Sequence, residues 1–125
     1  MRGIFIFGFL NLALLGYLFA EVAESYKCKL KSGVSRSQII SLGEDYIETG
    51  KKNEMDFNLS VLFPIYSDDM SDGVFYWNGT SSNLESLGKA IKIWESKDNK
   101  RAIDQWVAIV DGCESSSLFS SVKIN

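Results

Sequence analysis

Cys28 and Cys113 are the only cysteines in this chain of 125 residues, and they are the pair best suited to covalent chemistry. In an oxidising compartment two such thiols close a bridge, and without a CxxC spacing nothing points to redox turnover. A Cys28–Cys113 disulfide is therefore expected, the competing reading being two buried thiols. Histidine is absent. That removes the commonest general base, the commonest metal ligand and the usual proximal ligand of haem, so Ser-His-Asp, Cys-His and His-metal sites are excluded. Asp68, Asp69 and Asp72 before Gly73 have the look of a calcium loop, yet Met70 stands at its third position and Gly79 at its twelfth, where a bidentate Glu is required. These acids read as a solvated hairpin turn. Glu44 and Asp45 fall on a helix face that reads as solvent. The residues thus imply no catalytic constellation, no metal site and no cofactor.

Two sequons, Asn58-Leu59-Ser60 and Asn78-Gly79-Thr80, match the glycosylation pattern. Asn58 lies inside an alternating stretch, where a glycan would disturb packing. Asn78 is followed by Gly79 and reads as a turn, so it is the candidate glycosylation site, with turn formation as its other reading.

The elements that position these residues are organised around residues 56–77. Phe57, Leu59, Val61, Phe63 and Ile65 alternate with Asn58, Ser60, Leu62 and Pro64, and Asp72-Gly73 leads into Val74-Phe75-Tyr76-Trp77. Period-two alternation beside Asp-Gly predicts a β-hairpin. If Tyr66 pairs with Val74, then Phe75 and Trp77 share the core face with Phe63 and Ile65, and Tyr76 faces the other way. Upstream, Tyr26, Cys28 and Leu30 alternate with Lys27, Lys29 and Lys31 as a strand ended by Gly33. Ser35 or Ser37 caps a helix carrying Ile39, Ile40, Gly43, Tyr46 and Ile47, with Gly50 as its stop. Downstream, Ser82 and Glu85 match a capping box ahead of the stripe Leu84, Leu87, Gly88, Ile91 and Trp94. A second helical piece carries Ala102, Ile103, Trp106, Val107 and Val110 and is closed by Gly112, and Leu118 to Ile124 alternates as the last strand. Trp94 and Trp106 read as core residues.

Ahead of this domain, Met1-Arg2 is followed by an apolar run to Ala20 and then by acidic Glu21 and Glu24. Residues 1–20 read as a signal peptide with cleavage near Ala20 to Ala23, and residues 26–125 as one domain. The alternative is a membrane anchor, against which Asn11 and the glycines interrupt the run. Cleavage after Ala20 removes Arg2 and no acid, taking the formal charge from −3 to −4. An exported, acidic, soluble protein, secreted or periplasmic, is expected, with no stable membrane anchor and no nucleic-acid partner. An RNA-recognition motif shares the element order, but Asp72-Gly73-Val74-Phe75 lacks its basic-Gly-aromatic pattern.

Strand, helix, strand, strand, helix pair, strand is the ferredoxin-like βαββαβ order, an α+β fold with an antiparallel sheet and helices on one face. In that order, and in the stretch Gly73 to Gly79, the chain resembles the dimeric α+β barrel superfamily. The resemblance implies two protomers pressing their open sheet faces together around a cavity. It covers roughly residues 26–124 and carries over no catalytic residue. The superfamily includes cofactorless monooxygenases of the antibiotic-biosynthesis type, haem enzymes, isomerases and proteins without established chemistry. Without histidine the haem branch is disfavoured.

The open face collects Lys27, Lys29, Lys31, Asn58, Ser60, Leu62 and Lys123. Lys29, Asn58 and Tyr76 are the candidate binding residues there, with a small organic anion or a partner protomer as the occupant and a plain hydrated surface as the competing reading. The function expected is a non-enzymatic small-molecule-binding or interaction module, as a homodimer; the alternative is a cofactor-independent monooxygenase-like enzyme.

Overall fold

The computed structural model describes residues 20–122 and 124. The apolar run at the start of the chain, and Lys123, lie outside the described residues. Strand β1 (Glu21–Leu30) is followed by helix α1 (Arg36–Lys52), strands β2 (Asn58–Leu62) and β3 (Val74–Ser81), helix α2 (Leu84–Trp94), a 3-10 turn at Lys97–Asn99, helix α3 (Lys100–Ile109) and strand β4 (Val110–Ser121). The sheet order is β2-β3-β1-β4, with every neighbouring pair antiparallel. This is the expected α+β, ferredoxin-like architecture.

The faces follow from parity. Val22, Cys28 and Leu30 of β1 and Phe75 and Trp77 of β3 are buried under the helices with Ile39, Leu42, Tyr46, Leu87, Ala90, Ile93 and Ala102. β2 pairs Val61 with Trp77 and Leu62 with Tyr76, two residues away from the register that would join Tyr66 to Val74. A shift of two preserves the face of every side chain, so Phe75 and Trp77 are core and Tyr76 lies on the open side. Ile65 does not share the core: it and Tyr66 are both 95% exposed. Pro64 cannot donate to the ladder, and β2 stops at Leu62 ahead of it. What reads as a tight hairpin is therefore two strands joined by residues 63–73.

Several boundaries differ from the sequence patterns for local reasons. Helix α1 begins after Ser35, whose amide donates to the Gln38 side chain (3.0 Å). It runs through Gly50 to Lys52, and the positive-φ residue beyond its end is Glu54. Helix α2 is capped by Asn83, which accepts from the Ser86 amide at 2.8 Å, in place of the Ser82–Glu85 box. Gly112 closes no helix; it sits inside β4 with φ 94°, where the β1–β4 register slips between Cys28 and Leu30. β4 begins directly after α3, so Cys113 lies within the strand opposite Cys28.

Asn78-Gly79 is likewise no turn. Both residues are inside β3, and a Cβ on Gly79 would stand 2.1 Å from Cζ of Phe57. The glycine is there to admit an aromatic ring from above the sheet.

Candidate functional site

The disulfide joins Cys28 of β1 to Cys113 of β4, with Sγ–Sγ 2.03 Å. It ties the edge strand to the centre of the sheet. Stable bridges of this kind persist where the environment is oxidising.

On the open face, the structure distributes the three sequence-derived binding residues instead of gathering them. Lys29 is the penultimate residue of β1 and pairs with Val74, whereas Asn58 opens β2 and pairs with Thr80. Neither is central in its strand. They are six residues apart along β3, roughly 20 Å at about 3.3 Å per residue. Tyr76 lies between them, half-buried, paired with Lys27 on one side and Leu62 on the other. Asn78 is on this face too, its Oδ1 accepting from the Ser25 hydroxyl at 2.6 Å.

The lysine row is answered largely by the chain itself. Lys27 Nζ stands 2.9 Å from Asp69 and 3.2 Å from Glu114. Asp69 is thus no freely solvated turn acid. Hydrogen bonds from the Ser71 side chain and amide, then the contact with Lys27, hold its carboxyl well below the usual carboxylate range. Lys27 is raised in turn, first by Asp69 and then by Glu114. Lys31 leaves the face altogether, its ammonium donating to the Val107 carbonyl at 2.9 Å near the end of α3. Lys29 remains exposed. The row therefore offers far less unanswered positive charge to an organic anion than alternation alone implies.

A concave site walled by aromatic rings lies on the other side of the sheet. Between β1, β3 and the helices α2 and α3 lies a cavity of about 470 Å³, with walls that include Tyr26, Tyr46, Trp77, Trp94 and Trp106. The rings meet edge to face: Tyr46–Trp94 at 5.0 Å, Trp77–Trp106 at 5.1 Å and Trp94–Trp106 at 5.6 Å between centroids. Such pairs are electrostatically favoured, because the positive edge of one ring meets the negative face of another. Trp94 and Trp106 are half-buried, so they both pack on the core and wall the cavity. The corner between α2 and α3 is fixed by buried Asn99, whose side-chain amide donates to the Trp94 carbonyl at 2.9 Å. Tyr46 is anchored by its hydroxyl, which donates to the Ala90 carbonyl at 2.9 Å.

Two acids line this aromatic enclosure, exposed Glu95 just beyond the end of α2 and half-buried Glu24. Glu24 follows the parity of Val22, Tyr26 and Cys28 and lies on the helix side of β1, opposite Gly79 of β3. The Tyr26 hydroxyl donates to it at 3.3 Å. Burial pushes the Glu24 carboxyl above its ordinary value, against the smaller opposing effect of that hydrogen bond. Burial, reinforced by the charge of Glu24, also raises the hydroxyls of Tyr26 and Tyr46. Sequence reasoning misses Glu24 because the alternation is traced from Tyr26 onward; two more residues of the same period place the acid on the core face. Among the described residues, no group of three or more acids or cysteines is arranged to hold a metal ion, and no helix is long and apolar enough to cross a membrane.

No family model and no curated protein matches the sequence. Solved structures do match the fold. SnoaB, a cofactor-independent oxygenase from Streptomyces nogalater, superposes with a TM-score of 0.61 at 10% identity, over 84% of this chain and 96% of its own. The hydroxynitrile lyase of Passiflora edulis gives 0.56 at 12% identity, over 86% and 98%. A dimeric protein of unknown function with a ferredoxin-like fold, from Bacteroides fragilis, gives 0.51 at 10% identity, over 81% and 96%. The chain thus has the fold of the dimeric α+β barrel proteins, in the form shared with antibiotic biosynthesis monooxygenases. An oxygenase and a lyase on one scaffold show that the scaffold does not choose the chemistry.

Proposed function

We propose that this protein is an exported small-molecule-binding domain that works as a homodimer and holds its ligand between the helices and the sheet. The observation that carries the reading is the cavity of about 470 Å³ walled by three tryptophans and two tyrosines, with Glu24 inside it. A volume in the range of ligand sites, mainly apolar walls and a few placed polar groups are the usual features of a binding pocket. Export is supported by the disulfide and by the leader-like pattern of residues 1–20. Dimerisation is supported by the dimeric structural neighbour and by the open face, where half-buried Tyr76 is flanked by Leu62, with Phe119 two strands away, the last two 46% and 55% exposed. A glycan on Asn78 would stand in the middle of that face, so in the dimer this sequon is unoccupied.

The test of the pocket uses the neutral apolar dye N-phenyl-1-naphthylamine. Saturable dye fluorescence with quenching of tryptophan emission is expected, and Ile103→Trp, which fills the cavity wall, should abolish both. Dye binding that does not saturate, or that survives the filled cavity, refutes the reading. Sedimentation velocity tests the dimer: Tyr76→Ala should weaken it most, with smaller effects from Lys29→Ala and Asn58→Ala.

A second reading, a cofactor-independent oxygenase, is favoured by the likeness to SnoaB and by Glu24, a desolvated carboxylate of raised proton affinity such as a general base requires. Oxygen uptake by the protein with a readily oxidised hydroquinone, lost in Glu24→Gln, would establish it.

A further inference from the structure

Resting on the pocket reading above, we propose that the cavity ligand is an organic cation with an alkylated ammonium head, held by the aromatic walls and by Glu24. The charge balance of the cavity points this way. Glu24 and Glu95 both line it, and among the described residues no lysine or arginine does. Neither acid takes part in an ion pair among the described residues, in contrast to Asp69, which Lys27 answers on the opposite side of the sheet. The partner that Glu24 does have is the Tyr26 hydroxyl at 3.3 Å, a neutral group at the long end of hydrogen bonding. A half-buried carboxylate without a cation is costly in the empty protein and becomes favourable when a ligand brings the missing charge.

The walls add to the same preference. Rings set at 85–87° to one another make a box, and the ring quadrupole attracts a cation placed over any of its faces. The head group is narrowed by donor counting. A primary ammonium carries three N–H donors, each needing an acceptor, whereas most of the lining is aromatic or aliphatic and its polar groups are the two tyrosine hydroxyls, half-buried Glu24 and exposed Glu95. Any of those donors that faces a ring instead of an oxygen would be left dry. An alkylated ammonium has no such requirement, because its charge is spread over methyl groups that make apolar contact with the rings.

Choline and its uncharged isostere 3,3-dimethylbutan-1-ol, titrated against tryptophan fluorescence of the intact protein, test this directly. Choline should bind at least about fivefold more tightly than the alcohol, since a desolvated cation–π contact and one charge pair together exceed about 1 kcal/mol. Glu24→Gln should lower the ratio about twofold or more by weakening choline and leaving the alcohol unchanged, the remaining preference being that of the rings, with near-UV circular dichroism confirming the fold. Equal affinities in the native protein, or a ratio unchanged by Glu24→Gln, overturn the proposal. If the alcohol binds and choline does not, the cation assignment falls and the pocket stands; if neither binds and the naphthylamine dye also fails, the pocket falls with it.

Discussion

Replacing Gly79 by alanine should destabilise the domain sharply, although glycine to alanine in a strand ordinarily does the reverse. The backbone at Gly79 lies outside the positive-φ region, so alanine meets no conformational obstacle there. The obstacle is Phe57: the new methyl would lie 2.1 Å from Cζ and 2.3 Å from Cε2 of a ring that is 8% exposed and packed at a tilt against Tyr46, 5.7 Å between centroids. Neither ring can retreat without opening the aromatic cluster. Overpacking of this kind costs about 1–3 kcal/mol. For a domain of about a hundred residues each kcal/mol moves the melting midpoint by about 4–8 °C, so a fall of roughly 5–20 °C is expected. Gly88→Ala is the internal control. It lies within α2 with nothing within 4 Å of its added methyl and should gain about 0.5–1 kcal/mol. In a Phe57→Ala background the cost of Gly79→Ala should largely vanish, since the colliding ring is gone. Thermal and urea unfolding of the four variants measure all of this. A Gly79→Ala protein as stable as wild type, or a cost that persists without Phe57, would refute the argument from ring contact.

Glu24→Gln should stabilise the ligand-free protein in a pH-dependent way. Burial raises the native carboxyl above its unfolded value, so the native state holds that proton more tightly; the resulting stability is present at low pH and is lost as pH rises from the ordinary carboxylate value through the native one. The advantage of the variant over wild type should therefore grow across that window and then level off, as urea midpoints from pH 4 to 8 will show. Reduction of the disulfide, or Cys28→Ala with Cys113→Ala, should cost about 2–4 kcal/mol, and hydrogen exchange should rise first in β4, whose residues Asp111 to Ser120 are all exposed. Secreted protein should begin at Glu21: a cut after Ala23 would remove Val22, which is 3% exposed, and forfeit about 1.5 kcal/mol of burial. Amino-terminal sequencing decides between the two.

Parity made much of the fold legible. Because side chains in a strand alternate, Cys28 and Leu30 in β1 could be placed on the core side before any register was known, and Phe75 and Trp77 in β3 followed from pairing Tyr66 with Val74, a register whose error of two residues left those faces intact. What parity does not carry is contact at a distance. Gly79 reads as a turn unless Phe57 is known to lie over it, and Lys31 reads as an open-face cation unless the Val107 carbonyl is known to be within reach. The candidate site was less legible still, since a cavity is a space between layers that no residue pattern marks. Its one sequence signal was available, an acid at a position where alternation calls for an apolar side chain.

The staple between Cys28 and Cys113 also orders the making of the cavity in time. Cys28 belongs to the first strand and Cys113 to the last, 85 residues later, and Cys113 itself forms part of the cavity wall. A growing chain can form α1, β2 and β3 and bring Trp77 beside Tyr46 well before β4 exists. Its enclosure then stays open along one side. Only the finished chain can pair the edge strand with β1, and oxidation of its thiols then fastens that strand and the wall it completes. The pocket is accordingly a late product of maturation, and a ligand would meet it after synthesis and oxidation are both complete.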